Sequence, residues 1–317
     1  MTGKQILTVS VIIPTYNRSH LVGRAIQSVL DQTFQDFEII VVDDGSTDNT
    51  KEVLDSCYRD KIRYFYQSRS APSVARNRGF FLSHGEYIHF LDSDDYFLPN
   101  NIEEKVKILE QEPDLGWVFS DCYYTYSKSR NKAIERLKKH LLDRTEVFDL
   151  LLMNYFVNTD TVMMRKECFE QTGGFDENLE SFEDMDFFYR LASLYKAALV
   201  DKPLVVINAQ EDNITNDRKK FYKGRIAVIE KVKKLFPEKT KELGFPGRRS
   251  EADILNFIGS EHLNANQKKM AFKVFLKSIR TIPFQKRVYL LILTTLFQIV
   301  NRRPPVTDES KKKNLNE

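Results

Sequence analysis

The 317-residue chain is poor in the side chains that most often build a site by themselves. Its three cysteines, Cys57, Cys122 and Cys168, lie far apart and form no CxxC pair. That scarcity argues against a disulfide framework and a cysteine-built zinc site, and it fits a reducing cytoplasm. The five histidines (His20, His84, His89, His140 and His262) are equally scattered, so a histidine-built metal centre has little support. The apolar run Val288 to Val300 has thirteen residues, short of the roughly twenty needed to cross a bilayer. No signal peptide is read at the N-terminus, where the apolar run begins only at Ile6 and contains a proline and polar residues. There is no internal repeat.

With 42% hydrophobic and 29% charged residues, the composition is that of a soluble globular protein with one large domain, or a domain and an appendage. The net charge of +3 is unevenly spread. Between Arg218 and Arg249 stand twelve Lys/Arg against three Glu. Such a stretch is either a solvated helix face or a surface that meets phosphates.

Strands and helices alternate along the first hundred residues. "TVSVIIPTYN" is a β-branched strand, followed by an amphipathic helix over 19–32. "FEIIVVDDGS" is a second buried strand, followed by a helix over 47–58, a short strand "IRYFYQ" and a helix through "SVARNRGFFLS". "EYIHFLDSDD" is then a fourth strand, ending in carboxylates. The alternation predicts βαβ units and a mostly parallel, Rossmann-like α/β sheet. Further on, a helix over 102–110, an aromatic strand "LGWVFSDCYYTY" and a basic insertion "SKSRNKAIERLKKHLLD" follow. Next come a helix "EVFDLLLMNYF", a strand, a turn at Gly173-Gly174, a helix from Glu183 and a last strand "DKPLVVIN". Strands give out after about residue 213 and helical patterns run to Val300. The expected domains are therefore 1–213 (the α/β domain), 214–300 (a helical C-terminal region) and 301–317 (a charged, proline-containing disordered tail).

Three motifs fall at strand ends: "PTYNR", "DDGSTD" and "LDSDD". Open parallel sheets bind ligands outside those ends, so residues distant in sequence converge on one crevice. Asp92 and Asp94 form a D-x-D pair of hard oxygen donors suited to Mg²⁺ or Mn²⁺ beside a substrate phosphate. The same aspartates could cap the following helix in a solvated turn. Tyr16 can stack on a nucleobase, and Asp44 can accept an imide N–H. Arg76 and Asn77, read at a helix start, suit phosphate, or are ordinary surface residues. Glu183 and Asp184 suit the first turn of a helix through its dipole, or one of them serves as a general base.

Taken together, "VSVIIPTYNR", "IIVVDDGSTDNT", "ARNRG", "YIHFLDSDD", "GGFDE" and "FEDMDFFYRL" resemble the family 2 glycosyltransferases of the GT-A fold, over about 8–208. The resemblance implies a metal-dependent, inverting transfer of a sugar from a nucleotide-diphosphate sugar, expected to be a UDP-sugar, to a hydroxyl. It places Pro14, Tyr16, Arg18 and Asp44 in the nucleobase pocket; Arg76 and Asn77, from their expected helix start, and Ser93 are taken as further donor-binding residues. Asp92 faces the ribose or metal, Asp94 ligates Mn²⁺ or Mg²⁺, and Asp184 is the catalytic base. The QxxRW motif of processive synthases is absent, so one sugar is expected per encounter. The implied partners are the nucleotide-sugar donor and a glycan or lipid-linked acceptor in cell-envelope polysaccharide assembly, with no nucleic acid. The alternatives are a nucleotidyltransferase, disfavoured because "PTYNRSH" lacks a glycine-rich phosphate loop, and a catalytically inactive sugar- or lipid-binding module. Lys286, Arg287, Arg302 and Arg303 flank the run 288–300. That pattern is read either as an interfacial helix against anionic lipid or as a core or dimer helix. The expected location is cytoplasmic, with peripheral contact at the inner membrane.

Overall fold

The computed structural model describes residues 8–125, 147–152, 157–208, 218–242 and 245–300. The basic insertion read at 127–143 and the tail 301–317 lie outside them. By compactness the chain divides into two units, Met1–Thr240 and Lys241–Glu317.

The first unit is built on strands buried on both faces. β1 (Val9–Thr15) is buried throughout and pairs in parallel with β2 (Phe37–Asp43) on one side and β4 (Tyr87–Phe90) on the other. β3 (Arg63–Tyr66) extends the parallel run beyond β2. Their side chains alternate between two cores, as a period of two requires. Ile12, Ile40, Val42, Ile88 and Phe90 face one core, and Val11, Ile13, Ile39, Val41 and Tyr87 face the other. Helices on both faces explain why these strands read as continuous apolar runs.

Three helices make the crossovers. α1 (Val22–Leu30) buries Val22, Ala25, Ile26 and Val29, an i, i+3, i+4, i+7 stripe. α2 is Thr50–Cys57, and α3 (Pro72–Leu82) starts with proline in its first turn, where no backbone N–H is needed. α3 lies so close to β1 that a Cβ at Gly79 would overlap the Ile12 side chain.

Beyond β4 the sheet is mixed. Its order is β3-β2-β1-β4-β7-β6-β8-β5, with β5 (Tyr96–Phe97), β6 (Leu115–Tyr124), β7 (Val162–Arg165) and β8 (Lys196–Ile207). β7 runs antiparallel to both β4 and β6, while β6 and β8 are parallel. The parallel expectation therefore describes the half of the sheet made by the βαβ units. β8 begins at Lys196, earlier than the sequence suggested, because the chain leaves the preceding helix straight into the strand. α4 (Asn101–Gln111) packs beside β6, and α5 is Val147–Leu152. α6 (Lys166–Thr172), which the sequence reading missed, ends at Gly173 in the left-handed conformation (φ 85°). The amides of Gly173 and Gly174 close its last turn on Phe169 and Glu170 carbonyls. α7 (Glu183–Leu194) and α8 (Arg218–Leu235) complete an aromatic core with Trp117, Phe119, Phe148, Phe187 and Phe188, to which α8 adds Val228 and Val232. A short α9 (Pro237–Glu242) follows.

The second unit contains α10 (Phe245–Asn264), α11 (Lys268–Thr281) and α12 (Lys286–Val300). Ala271, Phe275, Val288 and Ile292 form its buried cluster. Gln285 ties the α11–α12 turn, donating to the Ser278 and Ile282 carbonyls and accepting from Asn256 at 2.7 Å.

Candidate active site

β1, β2 and β4 deliver their carboxyl ends to one edge, with β2 and β4 leaving β1 on opposite sides. This is the switch point at which open α/β sheets make their crevices. The loops after β1 and β2 are laced together. Asn17, held at φ 50°, accepts from the Thr47 amide at 2.7 Å through Oδ1, and its own amide donates to Ser46 Oγ at 2.9 Å. A non-glycine residue in the left-handed region needs such partners to stay there.

Pro14 is buried within β1, whereas Tyr16, just beyond the strand, is partly exposed. Asp44 continues β2 and is buried with both carboxylate oxygens occupied. Oδ1 accepts from Gln67 Nε2 (2.8 Å) and the Ser70 amide (2.9 Å), and Oδ2 from Arg69 Nη1 (2.5 Å). The Arg69 guanidinium also lies 3.7 Å from the centroid of the Tyr16 ring, a cation–π contact. Tyr16 and Asp44 thus share one slot, linked by an arginine that sequence reasoning missed. Gly45 (φ 86°) makes this possible, since a Cβ there would press on the Arg69 backbone at 2.7 Å.

A buried arginine stands at the centre of the carboxylates. Arg76 is 5% exposed. It donates from Nη2 to Asp92 Oδ1 (2.7 Å) and from Nη1 to Glu183 Oε1 (2.9 Å). Burial alone would disfavour its charge, but Asp92 and Glu183 outweigh that and hold it firmly protonated. Arg76 and Asn77 lie a turn inside α3 rather than at its start, so their side chains, not the helix terminus, do the work. Asn77 points elsewhere. It accepts from the Phe175 amide and donates to the Phe175 carbonyl and Glu177 Oε1, each at 2.9 Å. The "GGFDE" loop, which precedes α7, is clamped by it.

Asp92, Asp95 and Asp160 bring carboxylate oxygens within 4.8 Å of one another. The Asp92 amide donates to Asp160 Oδ1 at 2.6 Å, and Asp95 Oδ1 accepts from the Asn208 amide at 2.7 Å. Burial raises both Asp95 and Asp160. The Asp160 charge and hydrogen bond raise Asp95 further, whereas Asp160 is raised next by Asp92 and lowered by its hydrogen bond with Asp95, so the proton sits on Asp95 and is offered to Asp160. This all-oxygen donor set fits a hard divalent cation, which would replace the proton as the neutralising charge. Asp94, expected as the metal ligand, is not one of the three; burial and Asp92 push its carboxyl up, and Arg18 Nη2 lies at 4.0 Å. Ser93 is buried in the same turn. Asp95 is the last residue of the "LDSDD" motif. Asp160, in a one-turn helix ahead of β7, left no signal beyond being one acid in "VNTDTVMM".

α7 opens on Phe182, held at φ 62°, a second strained residue at the site's edge. Of the acids in its first turn, Glu183 is held by Arg76. Asp186, fully buried, is ion-paired with Arg190 (2.7 Å) and with Lys231 (2.8 Å) of α8. Asp184 Oδ1 accepts from the Met185 amide at 2.7 Å. Burial, then the adjacent Glu183, push its carboxyl up to about 7. Part of the basic stretch at 218–249 is therefore spent inside the fold, Lys231 also reaching Asp176 at 2.6 Å.

Comparison with known proteins agrees with this architecture. The profile described as Glycosyl transferase family 2 matches residues 10–173. A glycosyltransferase of Rickettsia felis is 36% identical over 235 residues, covering 73% of this chain and 38% of that protein. The chain thus spans well under half the length of that relative. S. aureus TarS 1-349 in complex with UDP-GlcNAc superposes with a TM-score of 0.63 at 19% identity, over 90% of this chain and 84% of that one. The mannosyltransferase PcManGT from Pyrobaculum calidifontis, in complex with GDP-Man and Mn2+, gives 0.57 at 17% identity, over 93% and 86%. A GT-A fold is what the structural similarities share. The chain belongs to glycosyl transferase family 2.

Proposed function

We propose that the protein is an inverting, non-processive, metal-dependent glycosyltransferase that moves a sugar from a nucleotide-diphosphate sugar, a UDP-sugar, to a hydroxyl of a glycan or lipid-linked acceptor. The observation that carries the reading is the division of labour among the acids after β4 and at the start of α7. Glu183 and Asp186 are held by cations, whereas Asp184 is raised to about 7. A carboxylate poised near neutral pH is suited to take the acceptor's proton.

Tyr16 and Asp44 would receive the nucleobase, by stacking and by accepting an imide N–H, once Arg69 swings off them. Arg18, expected in the nucleobase pocket, stands 4.0 Å from Asp94 and would instead meet the donor on its phosphate and ribose side, with Ser93. Asp92 and Asp94, with Asp95 and Asp160 behind them, would hold Mn²⁺ or Mg²⁺, which supplies positive charge against the departing diphosphate. Asp184 accepts the hydroxyl proton as the acceptor oxygen bonds to the anomeric carbon and the bond to the diphosphate breaks. A single displacement inverts that carbon and needs no covalent intermediate. Arg76 keeps Asp92 and Glu183 in register so that donor side and base side share one geometry. The reading places the protein in cell-envelope polysaccharide assembly, on the cytoplasmic face of the inner membrane.

The test is a screen of UDP-, GDP- and dTDP-sugars, read by released nucleotide with Mn²⁺, with Mg²⁺ and with chelator. Release from UDP-sugars that depends on the metal is the expected outcome. Release of pyrophosphate from a nucleoside triphosphate and a sugar phosphate would instead identify a nucleotidyltransferase. No turnover of any donor, with binding retained, would mark an inactive sugar-binding module.

A further inference from the structure

We infer that the second unit carries a docking surface for an anionic lipid bilayer, made by the outward face of α12 and its basic border. α12 has two apolar faces. Val288 and Ile292 are buried in the cluster with Ala271 and Phe275. Leu290 and Leu293, each 63% exposed, and Tyr289, 46% exposed, point away from that cluster. They lie three and four residues apart, on one side of the helix. Phe284, in the turn before α12, is 96% exposed. A water-soluble helix hairpin ordinarily turns polar residues outward at such positions, and here the outward positions are large and apolar.

The charge pattern selects the occupant. From His262 to Thr307 the sequence has nine Lys/Arg and no Asp or Glu. Seven of them, Lys268, Lys269, Lys273, Lys277, Arg280, Lys286 and Arg287, lie on α11 and α12. Lys286 and Arg287 are exposed at the start of α12, next to Phe284 and one turn from Leu290. An apolar patch with Lys286 and Arg287 at its start, on helices α11 and α12 that carry cations and no acid, fits an interface whose interior is hydrocarbon and whose rim is phosphate. A protein partner would need a uniformly acidic rim, and a second copy of this face would set like charges against each other. No helix among the described residues is long and apolar enough to cross a membrane, so the contact is peripheral and reversible. The inference is independent of the glycosyl-transfer reading.

The test is co-sedimentation of the full chain with phosphatidylcholine vesicles and with vesicles containing about one third phosphatidylglycerol, at low and high salt. Binding to the anionic vesicles, weakened by salt, is expected. The double variant Lys286→Gln with Arg287→Gln should weaken partitioning on the order of 25-fold, about fivefold for each cation near the surface. Leu290→Gln with Leu293→Gln should weaken it at least tenfold while leaving the melting temperature unchanged, because both side chains are exposed. Full-length protein that stays in the supernatant at low salt would overturn the inference, as would equal binding to neutral vesicles. Size-exclusion chromatography covers the remaining occupant. A dimer that the leucine double variant dissociates, without lipid binding, would assign the face to self-association and overturn the lipid reading.

Discussion

Replacing Arg76 by methionine tests the electrostatic centre of the site, because it keeps much of the side chain's volume and removes its charge. Arg76 is almost wholly buried and bridges Asp92 and Glu183 at 2.7 and 2.9 Å. Removing one partner of a buried ion pair costs about 3–5 kcal/mol, since the other charge stays behind without compensation. The Asp92 side chain is 36% exposed and Glu183 17%, so water recovers part of the loss and about 3 kcal/mol is the expected figure. At about 2–4 °C per kcal/mol for a domain of this size, melting should fall by about 6–12 °C. The pH dependence follows from the neighbours. Burial raises Asp160 and Asp184 from 3.8 to about 7, and Arg76 pulls both down. A carboxylate raised by folding binds more protons in the native state than in the unfolded one, so stability falls as pH rises from about 4 to the folded value. Without Arg76 that window extends above 7, and the gap between variant and wild type should widen from pH 5.5 to pH 8.5. Urea unfolding and thermal melts at both pH values measure it. A variant melting within 2 °C of wild type at pH 8.5, or an equal gap at both pH values, would refute the reasoning.

Asp184→Asn should keep donor affinity by calorimetry and lose about 10²–10⁴-fold in turnover; near-native turnover would return Asp184 to a helix-start residue. The wild-type rate should rise with pH through about 7 as Asp184 gives up its proton, and a flat profile from pH 5.5 to 8.5 would count against it as the base. Asp94→Ala should abolish the metal dependence of UDP binding while leaving the melting temperature in place, so an unchanged Mn²⁺ dependence would remove Asp94 from the metal site. Asn77→Ala removes three hydrogen bonds to the loop before α7, each of about 1 kcal/mol. Stability should fall by about 2–3 kcal/mol and turnover with it, with donor affinity held; unchanged urea unfolding would show that the clamp is idle.

Much of the site was legible because the βαβ half of the fold is local. Period, turn residues and strand ends are written in consecutive residues, and a parallel sheet sends every such end to one edge, so the sequence puts Asp44, Asp92 and Asp94 at that edge. The same locality marked Glu183 and Asp184 at a helix start. One feature of the second half could not be read this way. β7 enters antiparallel between β4 and β6, a pairing that no local pattern specifies. It carries Asp160 to the back of the D-x-D turn.

Partners across long separations were equally hidden. Arg76 was read as a phosphate ligand at a helix start, and its hydrogen bond to Glu183 spans 107 residues. Asn77, one residue on, faces a different loop because a helix turns its side chains by about 100° per residue. Arg69 reaches Asp44 and Tyr16 only because Gly45 lets two backbones meet. Sequence alone determined which residue types stand at the strand ends, and hence the chemistry on offer. Tertiary structure decided which of those charges neutralise each other and which carboxylates are raised toward neutral pH, because burial and distance exist only once the chain has closed on itself.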